Sequence, residues 1–146
     1  MDEHAAVKRI THLMRMEETA REAYDAALAK VPGSKIRPSM VRFRQTHQEH
    51  AEGLQRLTAE VGEGPVGSGA YQAYMDDVVD SVRQARDYHG LFSTMRTMEA
   101  ALRLQYEEAV GSGLPDEAAQ TVRAYLRDEQ EMPNLLNIAG HGLGQA

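Results

Sequence analysis

Four ionisable residues, Glu17, His50, Glu99 and Glu129, interrupt otherwise apolar stripes drawn at helical spacing. The first stripe reads Val7, Ile10, Met14, Glu17, Tyr24 and Leu28, with the small Ala20 between. The second reads Ile36, Met40, Phe43, His47, His50, Leu54, Leu57 and Val61. Leu91, Met95, Met98, Glu99, Leu102, Tyr106 and Ala109 make a third, and Ala118, Val122, Tyr125, Glu129, Met132 and Leu136 a fourth. Residues three and four apart share one face of a helix, so each stripe is a core-facing surface with a polar centre. A carboxylate in a core is costly unless it is paired, hydrogen-bonded or bound to a cation. Carboxylate and imidazole are also the donors that first-row transition metals accept. For Glu17 and Glu99 the other reading is a buried carboxylate bonded to a core Tyr or His.

The four groups are predicted to meet at one height. Glu17 lies 14 residues before Val31, and His50 lies 14 after Ile36. Glu99 lies 12 residues before Gly111, and Glu129 lies 14 after Pro115. At about 1.5 Å per residue, each group stands roughly 18–21 Å from its own turn. Antiparallel helix pairs would bring all four level, and several carboxylates at one level ask for a metal ion. His47 shares the face of His50 one turn away and is a further candidate ligand.

An internal repeat points the same way. Met16-Glu17 is followed by Arg21 and Tyr24, and Met98-Glu99 is followed by Arg103 and Tyr106 at the same offsets. A Tyr seven residues after a Glu lies two turns along the same face, so Tyr24 and Tyr106 could point their hydroxyls at the site. Hydrogen bonding to a ligand carboxylate is the role expected of them. The methionines of the stripes read as core filling. His4, His12, His89 and His141 fall off the stripes or at their ends.

The elements that must position these residues are bounded by glycine and proline. Helical stretches are expected at about 3–30, 36–61, 70–88 and 91–110, and a last one opens at Pro115-Asp116-Glu117, where proline and acids suit a first turn. About five residues join the first two stretches and about five the last two, which makes antiparallel neighbours of each pair. Almost 30 residues separate the pairs, including the glycine-rich linker from Gly62 to Gly69. That segment lacks the lysine and spacing of a phosphate cradle. An all-α fold follows: a four-helix bundle of two antiparallel hairpins joined by a long crossover that carries an extra helix. Residues 1–139 form the single domain, and the Gly-rich tail 140–146 is expected to fray.

Composition removes other classes. The chain has 146 residues and no cysteine, which excludes disulfides, thiol catalysis, thiolate zinc and iron–sulfur clusters. Its net charge of -6 leaves no electrostatic footprint for nucleic acid or for an anionic membrane. No apolar run approaches the roughly 20 residues of a membrane span, and the acidic start has no signal-peptide core. A cytoplasmic location is the expectation.

On these motifs the chain resembles the ferritin-like superfamily, most closely its rubrerythrin-like and small uncharacterised members. Glu17 with Tyr24 and Glu99 with Tyr106 match the family's E-x6-Y on the first and third core helices. His47-Gln48-Glu49-His50 matches its E-x-x-H with His47 in the Glu position, and Glu129-Gln130-Glu131-Met132 matches with Met132 in the His position. Gly67 to Tyr71, before the crossover helix, is similar to the small members. The resemblance implies one or two transition metals in the bundle core, iron first, with manganese or zinc as alternatives. Glu17, His47, His50, Glu99 and Glu129 would be the ligands, with Tyr24 and Tyr106 behind them. It further implies iron-dependent oxidoreductase chemistry with dioxygen or peroxide, of ferroxidase or peroxidase type, or iron storage. A homodimer is expected.

Two departures from the pattern bear on this. Met132 is a soft thioether and a poor ligand for hard Fe(II) or Mn(II). Pro133 lacks the N–H that would bond the carbonyl of Glu129, so the last helix is expected to kink there. With neither cysteines nor an iron–sulfur domain, an internal electron donor is missing. A degenerate bundle that has lost the metal and acts as a structural or interaction module is the alternative. A mononuclear zinc site is a third reading.

Overall fold

Asp2 opens the first helix, its side chain accepting the backbone N–H of Ala5 at 2.7 Å and so satisfying one of the free donors of a helix start. From there α1 runs Glu3–Leu28, α2 Arg37–Val61, α3 Ala70–Gln84, α4 Tyr88–Val110 and α5 Asp116–Gly144. This computed structural model describes the backbone at 2–31, 33, 35–61 and 70–144, and side chains there except at 60–61, 70–72 and 133–144. Among the described residues the fold is all-helical, with five helices and no strand. The linker expected at Gly62 to Gly69 and the stripe positions Val61 and Leu136 lie outside the described residues or side chains.

The turns are tied by specific groups. Arg37, at the start of α2, donates to the carbonyls of Leu28 and Val31 at 2.8 and 2.7 Å, closing the exposed end of α1. Lys30 reaches the last carbonyls of α3, bonding Arg83 O, and Ala85 O at 2.9 Å. Between α4 and α5, Gly113 takes φ +81°, a left-handed conformation that a side chain would strain.

Two boundaries differ from the sequence reading. The third helix stops at Gln84 rather than 88, and His89-Gly90 falls inside the first turn of α4. The reason is Asp87. Its carboxylate accepts the Gly90 N–H at 2.7 Å and caps α4 three residues earlier than the glycine suggested. At the other end, α5 is continuous past Pro133 and through the glycines of the expected tail to Gly144. Glycine costs only about 1 kcal/mol per helical position relative to alanine, which a long established helix tolerates.

Most stripe positions are buried, though not one for one: in α1 Leu13 and Met16 enter the core while Met14 and Leu28 are only partly buried, and Tyr125 of α5 is likewise half-buried. Ile10, Leu13 and Met16 of α1, Met40, Phe43 and Leu54 of α2, and Met95, Met98 and Leu102 of α4 are all buried in one cluster. The α3 helix adds Met75, Val78, Val79 and Val82 to that cluster. Contacts are richest between α1 and α2 and between α4 and α5, α3 lies against α1 and α4, and α2 meets α5 most sparsely. None of the helices is long and apolar enough to cross a membrane, among the residues described.

A buried carboxylate and imidazole cluster

Four helices deliver the candidate side chains to one place. Glu17 comes from α1, His47 and His50 from α2, Glu99 from α4 and Glu129 from α5. Glu17, His47, Glu99 and Glu129 have no exposed surface, and His50 is 2% exposed. All the ligands predicted from the sequence therefore meet in the core.

His47 stands between three carboxylates. Its Nδ1 lies 3.0 Å from Glu17 Oε1 and 3.5 Å from Glu129 Oε1, and its Nε2 lies 2.8 Å from Glu99 Oε1. The Glu17 contact has hydrogen-bond geometry. The approach to Glu99 is close but misaligned, and both Glu99 oxygens lack a hydrogen-bond partner. His50 Nδ1 lies 2.7 Å from Glu17 Oε2 and 3.2 Å from Glu129 Oε1, and its hydrogen-bond alignment favours Glu129 although Glu17 is nearer.

Asp128 is the site residue that the stripes missed. His50 donates through Nε2 to Asp128 Oδ2 at 2.9 Å, while the Asp128 side chain is 53% exposed. It lies one residue before Glu129 and off the buried face, so periodicity alone could not select it. Its carboxylate fixes which way the His50 ring faces, leaving Nδ1 turned inward.

Three tyrosine rings lie against the imidazoles. Tyr125 stacks on His50 with centroids 4.0 Å apart and planes at 18°. The tip of the Tyr125 ring sits against the backbone of α2 at Gly53, where a Cβ would stand 1.8 Å from its hydroxyl. The Tyr24 ring lies 5.3 Å from that of His47, and Tyr106 lies 6.3 Å from His50. The bond expected from each phenol to a ligand carboxylate is not formed: both hydroxyls are buried without a hydrogen-bond partner. Beside Tyr24 it is His47 that takes Glu17 Oε1, so the tyrosines meet the site through their ring faces and edges.

The electrostatics divide the cluster. Burial disfavours the charged forms of Glu17, His47, His50 and Glu129, yet the contacts outweigh it for three of these four. Burial alone would raise Glu17, but the charge of His47 and hydrogen bonds from both imidazoles hold it down at about 2. For His50, burial is opposed by hydrogen bonds to Glu129 and Glu17, which push it up to about 10. His47 is likewise driven well above its ordinary value, against burial, by the charges of Glu99, Glu129 and Glu17. Glu129 goes the other way: burial and the neighbouring Glu17 charge raise it well above the usual carboxylate range. Burial, followed by the surrounding carboxylates, also raises Tyr24 and Tyr106, so both phenols stay protonated.

The donor set fits a cation. Glu17, His47 and Glu129 each offer one ligand atom, and these atoms lie within 4.8 Å of one another. Glu99 Oε1 and Oε2 and Glu129 Oε2 are buried acceptors with no hydrogen bond, the kind of group that a bound ion satisfies. Compared with known protein families, curated proteins and solved structures, the chain matches none.

Proposed function

We propose that this chain is a ferritin-like four-helix bundle that binds a transition metal in its core. In this reading α1 with α2 and α4 with α5 are antiparallel hairpins, and α3 rides on the crossover between them. The observation that carries the proposal is the convergence of Glu17, His47 and Glu129 within 4.8 Å in a fully buried place. Glu17, His47 and Glu129 would hold the ion, with His50 and Glu99 as the adjoining donors.

A bound iron or manganese would supply redox chemistry with dioxygen or peroxide, whereas zinc would not. The chain's own residues set the conditions for uptake. His47 and His50 are held protonated by the carboxylates around them, so the ion must displace their protons before either nitrogen can bind it. Asp128 accepts the outer N–H of His50 and thereby orients the inner nitrogen as the ligand. Tyr24 and Tyr106 close the two flanks of the cluster with aromatic surface and exclude water.

One observation favours a second reading. His47 already faces carboxylates of α1, α4 and α5 through its two nitrogens, so its imidazolium can serve as the internal cation of a metal-free structural network. Titration with Co(II) separates the two. Under metal binding the chain develops visible ligand-field absorption that saturates at a fixed number of ions, and Glu99→Ala weakens or abolishes it. An unchanged spectrum across the titration favours the internal network.

A further inference from the structure

The buried cluster has a neighbour that reaches solvent. A cavity of about 640 Å³ lies between α2 and α5, the two helices that meet most sparsely. His50 and Met132 line it from the core, while the acidic groups of Glu49, Asp128 and Glu131 line it from the exposed side. Arg42 and Arg56 also border it, 14 residues apart on α2 and so about 21 Å from one another along the helix. Beside Glu99 and one turn from His50 and Glu99 along their helices, Met98, Leu54 and Leu102 are fully buried apolar side chains. An ion stripped of its water cannot cross such apolar packing without a prohibitive desolvation cost.

His50 joins the two spaces. One nitrogen faces Glu17 and Glu129 inside, and the other bonds Asp128, whose side chain is half in solvent. A single imidazole thus separates an exposed carboxylate from the buried ones. Tyr125 lies flat on that imidazole, itself only partly buried, in a recess that exists because position 53 has no Cβ. Unlike Tyr24 and Tyr106, which are wholly enclosed, Tyr125 is only partly buried and lines the cavity.

We propose that the α2/α5 cavity is the port by which a divalent cation enters the core, and that Tyr125 is the leaf closing it over His50. The proposal rests on the metal-binding reading of the cluster. A cation gathers at the acidic mouth, the Tyr125 ring moves off His50, and the ion passes to Glu17 and Glu129 as the imidazole turns.

Stopped-flow mixing of the 146-residue chain with Co(II) tests this, read by the growth of visible absorption and by final ions per chain. Tyr125→Ala removes the leaf, and uptake becomes faster by on the order of tenfold, within the range over which association rates vary among variants of one site. Thr46→Trp fills the cavity from α2 at a position that is not itself a proposed ligand, and uptake becomes slower by about the same factor. Both variants end at the wild-type number of ions, and circular dichroism checks that each is folded. If the wild type takes up Co(II) and both folded variants load at its rate, the ion enters elsewhere and the port is refuted, with the metal site intact. If the wild type takes up no Co(II), the metal-binding reading falls and the port falls with it.

Discussion

Single side chains set both the chemistry and the cost of this core. Three carboxylates and two imidazoles are buried in the core, and each would be destabilising alone. Together they hold one another in place, with His47 contacting three helices and His50 contacting two. Asp128 acts on the site only through His50. Asp128→Ala is therefore expected to weaken metal binding by about 10–100-fold, the usual effect of losing a partner behind a ligand. Because Asp128 is exposed, the melting temperature of the metal-free protein should hardly move. Calorimetric titration of both forms reads this, and equal affinities would show that Asp128 plays no part. Glu17, His50, Glu99 and Glu129 were legible in the sequence because each breaks an apolar stripe, and His47 because it shares a face with His50. Asp128 was not, since its role comes from a contact across helices at an otherwise ordinary surface position. The phenol-to-carboxylate bonds were misread for a related reason. Spacing fixes a face, but not which neighbour reaches an acceptor first.

Helices deliver these side chains, and their ends were legible wherever glycine or proline marks them. The starts of α2 and α5 and the end of α4 fall within a residue or two of the positions read from Ile36, Pro115 and Gly111. The junction of α3 and α4 was not, because an aspartate cap there outweighs the glycine that follows it. The tail glycines were read as ending the helix, yet Gly140, Gly142 and Gly144 lie within α5. A local preference of about 1 kcal/mol yields to a helix that is already formed. Gly53 is the converse case, a glycine retained inside a helix because Tyr125 occupies the space of its side chain. Gly53→Ala should drive the Tyr125 ring off His50, seen as loss of the ring-current shift on the His50 protons in NMR spectra. The gain in helix propensity, about 1 kcal/mol, offsets part of the lost packing, so urea unfolding should shift by less than that amount. A His50 shift unchanged from wild type would mean that Tyr125 does not depend on this notch.

The whole molecule feels the cluster through its pH dependence. His50 is held at about 10 when folded and titrates near 6.5 when unfolded, so its contribution is complete below pH 6.5 and fades as pH rises towards 10. His47 and Glu129, both raised, have the same sign. Glu17 is held at about 2 against an ordinary 4.5, so its contribution is complete above pH 4.5 and is lost as pH falls towards 2. The metal-free chain should accordingly melt at steadily lower temperature from pH 6.5 to 10, and again from pH 4.5 to 2. The metal-loaded chain should resist the alkaline fall, because the ion takes the place of the imidazole protons. Identical alkaline profiles for stripped and loaded protein would contradict this linkage. The central claim is that the buried cluster holds a metal, and the most direct measurement is to count the ions. The chain would be loaded anaerobically with Fe(II), Mn(II) or Zn(II), desalted and analysed by plasma mass spectrometry. One or two ions per chain in the wild type, lost in Glu17→Ala, is the predicted result. No retained metal, or the same content in both proteins, would contradict it.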